Sequence, residues 1–338
     1  MNRIIAALFV VLLFSVNGFS QKSAGDQLKI VFYNTENIYD TIDDPLISDE
    51  EFLPNSKIAW NTERLNTKLN HIARALISID SANLPGMVGL AEVENIGVLR
   101  DLINNTGLKR GKYEAILEEG NDQRGIDVAL IYRKEALHCL GHWAIPSATS
   151  FKTRSVLYVK FANKGKDTLH IFVNHWKSRS GGSAETEPQR LENANVLKHL
   201  TDSVLSRNAG AKIIIMGDFN DEPNNKSLSE TLNAMKPVKN AIPSALYNLM
   251  YDRFLAGEGT LFYKDWDLFD QFIVSGNLLI GKRGKKPGIE PPYAFIFKPD
   301  YLLFKNKYGA MIPNRTAGSK EYYGGFSDHL PVYISLNY

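Results

Sequence analysis

Cysteine is all but missing: Cys139 stands alone among 338 residues. An internal disulfide and a cysteine-rich metal site are both excluded, so the chain must be held by its core or by metal ions. Charge of either sign is not in excess, with 39 Lys and Arg against 37 Asp and Glu. That excludes a global pull towards polyanions, and any attraction for an anionic substrate must be local. Repeats, low-complexity tracts and long linkers are lacking too. With 44% hydrophobic and 22% charged residues, 25 Gly and 14 Pro, the composition is neither disordered nor collagen-like. The apolar run Ile4–Phe14 is well short of the ~20 residues needed to span a bilayer. Preceded by Arg3 and followed by small or turn-forming residues before Gln21, it reads as a secretory signal peptide over residues 1–20, cut most simply after Ser20. No cysteine lies near this site to carry a lipid anchor. Removing residues 1–20 deletes Arg3 and no acid, leaving 38 basic against 37 acidic residues. Export to the periplasm or the medium is the expectation.

What is present is a series of short strand-like runs alternating with helical patterns. Leu28–Asn34, Met87–Val93, Tyr113–Leu117, Ile126–Tyr132, Val156–Phe161, Leu169–Asn174, Lys212–Gly217, Phe269–Val274, Tyr301–Phe304 and Val332–Leu336 are rich in Val, Ile, Phe and Tyr. Leu65, Leu69, Ile72, Ala73 and Leu76 fall at helical spacing, as do Leu191, Ala194, Leu197 and Leu200, and Ile96–Asn105 ends at Gly107. The alternation continues to the C-terminus, so residues 21–338 read as a single layered α/β domain. Gly276–Pro292, containing GKRGKKPG, reads as a loop insertion. GNLLIGK within it imitates the start of a P-loop, but Arg283 replaces the required Ser or Thr.

The informative feature is a set of polar residues, each at the end of an apolar run. Asn34 follows KIVFY, Glu92 sits in VGLAEVEN, and Asn174 and His175 follow LHIFV. Asp218 and Asn220 follow KIIIMG, Asp270 lies in DLFDQFIV, and Asp328 and His329 precede LPVYISL. One Asp after a strand is usually a turn or cap residue. Six such segments converge on one rim of a sheet, the usual place for an active site. Together they supply oxygen ligands for a hard cation, two imidazoles and several amides.

At these residues the sequence resembles the endonuclease/exonuclease/phosphatase superfamily, the DNase-I-like group. The motifs are YNTEN, LAEVEN, RGIDVALIYR, VNHWKSRSGG, IMGDFNDEP, DLFDQFIVS and FSDHLPV, in order from Asn34 to His329. The resemblance implies a four-layer α/β/β/α sandwich of two mixed sheets and metal-dependent phosphoester cleavage. It implies Glu92 as the principal metal carboxylate, with Asn34, Glu36 and Asp328 on the metal side. Asp218 and Asn220 match the pair beside the scissile phosphate, His175 a phosphate-contacting or acid/base histidine, and Asp270 the partner that orients His329. Mg²⁺ or Mn²⁺ is the implied cofactor, with Ca²⁺ as a structural or auxiliary ion. Such a cation, held by one or two carboxylates, offsets the charge that in-line displacement places on the phosphate oxygens.

Asn174, Arg124 in NDQRGIDVALIYR, and Lys177 and Arg179 in HWKSRSGG are expected to contact substrate phosphates, the last two because they directly follow the His175 strand. Nucleic acid is the expected substrate, DNA before RNA: DLFDQFIVS and NHWKSRSGG are similar to nuclease forms of these motifs, and the inositol-phosphatase pattern of Trp, Cys, Asp and Arg is absent. A lipid-head-group or small-phosphoester hydrolase is the alternative, for which Tyr293, Phe295, Phe297, Tyr301 and Phe304 are candidate interfacial aromatics. The alternation at Tyr293, Phe295 and Phe297 reads as a half-buried strand instead. A catalytically silent binding module is the alternative of another class. Nothing in the sequence calls for a protein partner, and a monomer is expected.

Overall fold

A computed structural model describes residues 27–163, 167–279 and 288–337. The signal peptide expected at 1–20 and most of GKRGKKPG, with the end of the P-loop-like stretch, lie outside the described residues.

Two mixed β-sheets form the middle of the molecule. The first holds six strands in the spatial order Ala294–Ile296, Val332–Asn337, Gln27–Ile38, Met87–Val93, Asp127–Arg133 and Tyr113–Leu117. The second holds seven: Leu137–Pro146, Ser155–Asn163, Thr168–His175, Lys212–Asp218, Asp270–Ser275, Leu246–Asn248 and Ala234–Met235. Side chains alternate across each strand, and both faces of the central strands are apolar. Ile30 and Phe32 join Ile171, Val173, Ile214 and Met216 in the layer between the sheets. Val31 and Tyr33 instead join the helix layer over the first sheet, as Phe172, Ile213 and Ile215 do over the second. Each such side chain contributes about 1.5–3 kcal/mol on burial, which fixes which face points where.

Helices α1 (Thr62–Ile79) and α2 (Ile96–Asn104) cover the first sheet, burying Leu65, Leu69, Ile72, Leu76, Leu99 and Leu102. Asn61 and Asn95 cap them, accepting the Arg64 and Val98 N–H groups. Helix α3 (Ser183–Arg207) covers the second sheet through Ala194, Leu197 and Leu205. The result is the expected four-layer sandwich. Between the sheets Gly89 leaves room for Met216: a Cβ there would stand 2.6 Å from Met216 Sδ, so the methionine would have to shift.

Two expectations needed revision. Leu137–Pro146 is a ten-residue edge strand that apolar patterning does not show, because Gly141 and a bulge between Cys139 and Gly141 break its alternation. The stretch Tyr301–Phe304 is split: Asp300–Leu302 forms a 3₁₀ turn after Pro299, and only Leu303–Lys305 pairs as strand, with Met311–Pro313. Ala294–Ile296 pairs with the Val332 strand, so that aromatic run is half-buried sheet.

Candidate active site

The stripe of side chains that fills the space between the sheets continues past the apolar core at one edge. Two residues beyond Phe32 the same face carries Asn34; two beyond Val173 it carries His175; two beyond Met216 it carries Asp218. Asp270 stands two before Phe272 on the neighbouring antiparallel strand. Register places His175 and Asp270 directly opposite Asp218 on its two sides. Parity alone would send Glu92 to the helix side, with Val88 and Leu90. Its backbone, however, adopts φ +63, and the register shifts between Ala91 and Val93. This bulge turns the carboxylate inward, until Glu92 Oε1 lies 3.5 Å from Asn34 Nδ2. A left-handed conformation at a non-glycine costs about 1–3 kcal/mol and is found chiefly where function demands it.

Asn34 Nδ2 also donates to Asp218 Oδ2 at 3.0 Å, and the Asn220 N–H donates to Asp218 Oδ1 at 2.9 Å. Asn220 has φ +51, and its side-chain amide donates to the Trp176 carbonyl at 3.2 Å. His329 Nδ1 is 2.7 Å from Asp270 Oδ2, leaving Nε2 3.9 Å from Asp218 Oδ2. Asp270 is held by its own N–H, which donates to Thr260 Oγ1. His175 Nε2 faces the same point, 3.5 Å from Asp218 Oδ2 and 3.8 Å from Glu92 Oε1, and its buried Nδ1 has no partner among the described residues.

Burial and charge set these groups apart. Burial pushes Asp218 up to about 6, against the opposing pull of His329. Burial would strip the His329 proton, but Asp270, then Asp218 and Asp328, hold its pKa well above the usual imidazole range. His175 goes the other way: burial, then Arg154 and Arg124, hold it well below that range, so it is neutral at pH 7. A charged donor, a neutral imidazole and a carboxylate near neutrality therefore share one floor. Above them lies an open cleft of about 720 Å³, which Glu92, His175, Asp218, Asn220, Asp328 and His329 line.

Comparison with family models matches residues 29–338 to the endonuclease/exonuclease/phosphatase family. The chain belongs to that family. It is a phosphoester hydrolase of that superfamily. Solved structures with the same fold include TDP2 from D. rerio in complex with a single-strand DNA product, at 15% identity and a TM-score of 0.53, covering 92% of this chain and 99% of that one. A mannosyl-6-phosphatase from Bacteroides thetaiotaomicron matches at 14% identity and 0.56, covering 92% and 100%. The human Nocturnin catalytic domain with bound sulfate matches at 15% and 0.53, covering 92% and 94%. Curated proteins yield no match to the sequence.

Three side chains do not stand where the sequence suggested. Glu36 is turned from the cleft: its carboxylate accepts Arg315 Nε at 3.0 Å and the Thr316 N–H at 2.5 Å, and its φ of +50 starts that turn. With both oxygens occupied and its pKa raised by burial, then by Asp328, it ties the first sheet to the 314–329 segment. Asn174 is wholly buried, its amide donating to the Phe172 and Met216 carbonyls and accepting Trp176 Nε1. Arg179 spans inward, Nε donating to the Asn220 carbonyl at 2.8 Å and its outer nitrogen to Asp221 and Asn225. It positions Asn220 and does not face the cleft. Asp328 does line the cleft, with Arg315 3.3 Å from its Oδ2.

The basic wall keeps Arg124 and Lys177 and adds Lys152 and Arg154, which sequence reasoning passed over. Arg154 is buried, donating to Asp122 Oδ2 at 2.9 Å and to the Trp176 carbonyl at 3.0 Å. Its signal was available: FKTRSVLYVK places it, like the other site residues, at the end of an apolar strand.

Whether these residues suit a divalent cation can be judged from the donors. Among the described residues no three His, Cys, Asp or Glu side chains form a closed ligand set. An open, hydrated site on one or two carboxylates needs none. Glu92 and Asp328 offer carboxylate oxygens to the same cleft, while the Asn34 amide nitrogen donates to Glu92 and Asp218 and its oxygen accepts the Glu36 N–H. The donors fit such an ion.

Proposed function

We propose that the protein is a secreted, divalent-metal-dependent phosphodiesterase whose substrate is nucleic acid, DNA in the first place. The observation that supports this reading best is the His329–Asp270 pair beside Asp218, at the floor of an open cleft with basic side chains along its wall. A chain of phosphates can lie along such a cleft, whereas a terminal monoester needs only its floor. Mg²⁺ or Mn²⁺, held by Glu92 with Asn34 and Asp328 nearby, would supply positive charge to the phosphate oxygens.

The remaining chemistry belongs to the chain. His329 Nε2–H is a cationic donor to a phosphate oxygen, and Asp270 keeps the proton on it. Asp218, buried and poised at about 6, accepts a proton from the attacking water. Asn34 and Asn220 hold that carboxylate in place from two sides. His175, neutral, contributes a hydrogen bond without charge. Lys177 and Arg124 meet the flanking backbone.

The test is cleavage of plasmid DNA, RNA and sphingomyelin by the purified mature chain, each with Mg²⁺, Mn²⁺, Ca²⁺ or a chelator. Metal-dependent cutting of DNA is expected. Turnover of sphingomyelin alone would move the assignment to lipid head groups, and silence on every phosphoester would make the protein a binding module.

A further inference from the structure

The main cleft does not end at Lys152. A second recess of about 290 Å³ opens on its far side, lined by Asn121, Thr149, Ser150, Phe151 and Lys152 among others. Lys152 lines both cavities and so stands between the recess and the cleft that holds His175 and Asp218. Lys152 is exposed and has no ion pair among the described residues. Phe151 is half-buried and stacks on no other ring there.

The loop that presents them is braced from helix α3. Glu192 accepts the Thr149 and Ser150 N–H groups at 2.6 and 3.0 Å, and the Ser150 hydroxyl as well. Next to it, wholly buried Asn193 donates to the Ser147 carbonyl at 2.8 Å and accepts the Lys177 N–H at 3.2 Å. The same side chain thus fixes the distance between the recess and the basic wall. Ser147 Oγ in turn donates to the Arg154 carbonyl. A loop clamped this way is organised before any ligand arrives, so little ordering cost attends binding.

We infer that this recess, resting on the phosphodiesterase reading above, is a subsite for an unpaired nucleobase one or more nucleotides from the scissile phosphate, with Phe151 as its stacking surface and Lys152 as the contact to the phosphate between. Lys152 stands between the catalytic cleft and the recess that holds Phe151, a placement that suits the phosphate–base alternation of a single strand. Asn121 gives the recess a polar edge for a base, while the Thr149 and Ser150 hydroxyls, which donate to Glu192, offer it only acceptor oxygens. A base within a duplex has both faces covered and cannot enter, so the site selects single-stranded or frayed ends.

Two measurements test this. The first compares kinetics on a short single-stranded oligonucleotide with those on bis(p-nitrophenyl) phosphate, a diester too small to reach the recess. Phe151→Ala should raise KM for the oligonucleotide roughly tenfold, as loss of one stacked base predicts, and leave the small diester unchanged. The second is fluorescence anisotropy of a labelled six-nucleotide oligothymidylate in chelator, which needs no turnover. Phe151→Ala should weaken its binding roughly tenfold while a hairpin duplex binds wild type and that variant alike, and Lys152→Ala should make the salt dependence of oligothymidylate binding shallower by about one counter-ion.

Equal losses on both diesters would reduce the loop to a structural element and overturn the subsite, as would no change on either. If the wild-type protein cleaves bis(p-nitrophenyl) phosphate but handles the oligonucleotide no better, the subsite is refuted and the hydrolase reading stands. If it cleaves neither, both fall. Circular dichroism on each variant, together with Phe151→Leu, which keeps apolar volume but removes the ring, separates stacking from folding.

Discussion

Replacing Asp270 by Asn probes the centre of the proposed chemistry. Asp270 is wholly buried, and its Oδ2 lies 2.7 Å from His329 Nδ1. Burial works against the imidazolium, and Asp270 is the foremost of the carboxylates that overcome it. Asn has nearly the same shape and keeps the backbone bond to Thr260 Oγ1, so folding should survive. What goes is a buried charge-assisted hydrogen bond of about 1.5–3 kcal/mol. If that support is felt in the transition state, kcat at pH 7 falls roughly 10- to 150-fold at ~1.4 kcal/mol per decade. The same energy, at ~1.36 kcal/mol per pH unit, moves the alkaline limb of the pH–rate profile down by about one to two units. Stability follows the same sign. The raised pKa of His329 stabilises the native state fully below the imidazole's unfolded value and ceases to do so as pH rises through the folded one, so the Tm gap between the two proteins closes at high pH. Initial rates on bis(p-nitrophenyl) phosphate across pH 5–10, at saturating Mg²⁺ and fixed salt, read both effects. A variant whose alkaline limb stays put refutes the idea that Asp270 holds a proton on His329.

Glu92→Gln should raise the Mg²⁺ concentration for half-maximal rate at least about tenfold with little change in Tm, and an unaltered metal titration would reassign Glu92 to a structural role. Lys177→Ala and Arg124→Ala should each flatten the salt dependence of DNA cleavage by about one counter-ion. Arg179→Ala should instead lower kcat at all salt concentrations, because its guanidinium holds the Asn220 carbonyl. Gly89→Val should cost about 1–3 kcal/mol by thermal unfolding, since its side chain would enter the space of Met216. Glu94 is buried and raised to about 7, so folding favours its protonated form. Glu94→Gln should therefore raise Tm at pH 8, by the equivalent of about 1–3 kcal/mol, and leave it unchanged at pH 4.

Much of this was legible before any coordinates. Unbroken apolar runs such as KIVFY and KIIIMG place the central strands, because a strand buried on both faces can be written only in apolar residues. The polar residue at the end of each run marks the active rim, and in register these ends do meet at Asp218. Edge elements were harder to read. The Leu137–Pro146 strand needs little apolar character and hides behind its bulge. Side-chain direction was harder still: Glu36, Asn174 and Arg179 sit within a few residues of the site, yet one turn of backbone or one carbonyl within reach draws each inward. Conversely, the left-handed backbone at Glu92 that brings the carboxylate to the site leaves no trace in residue type.

Two hydrogen bonds, Asn34 to Asp218 and His329 to Asp270, run from one sheet or its flanking loops to the other. The layer beneath them is apolar and held by close packing. The reaction centre is therefore a caliper set across a sliding joint. A displacement of half an ångström between the sheets would leave every strand intact and circular dichroism unmoved, yet it would stretch both bonds and be read directly as rate. Residues that never approach a phosphate, Gly89 and Met216 among them, thus set the spacing of the reacting groups, and substitutions there should lower kcat as well as Tm.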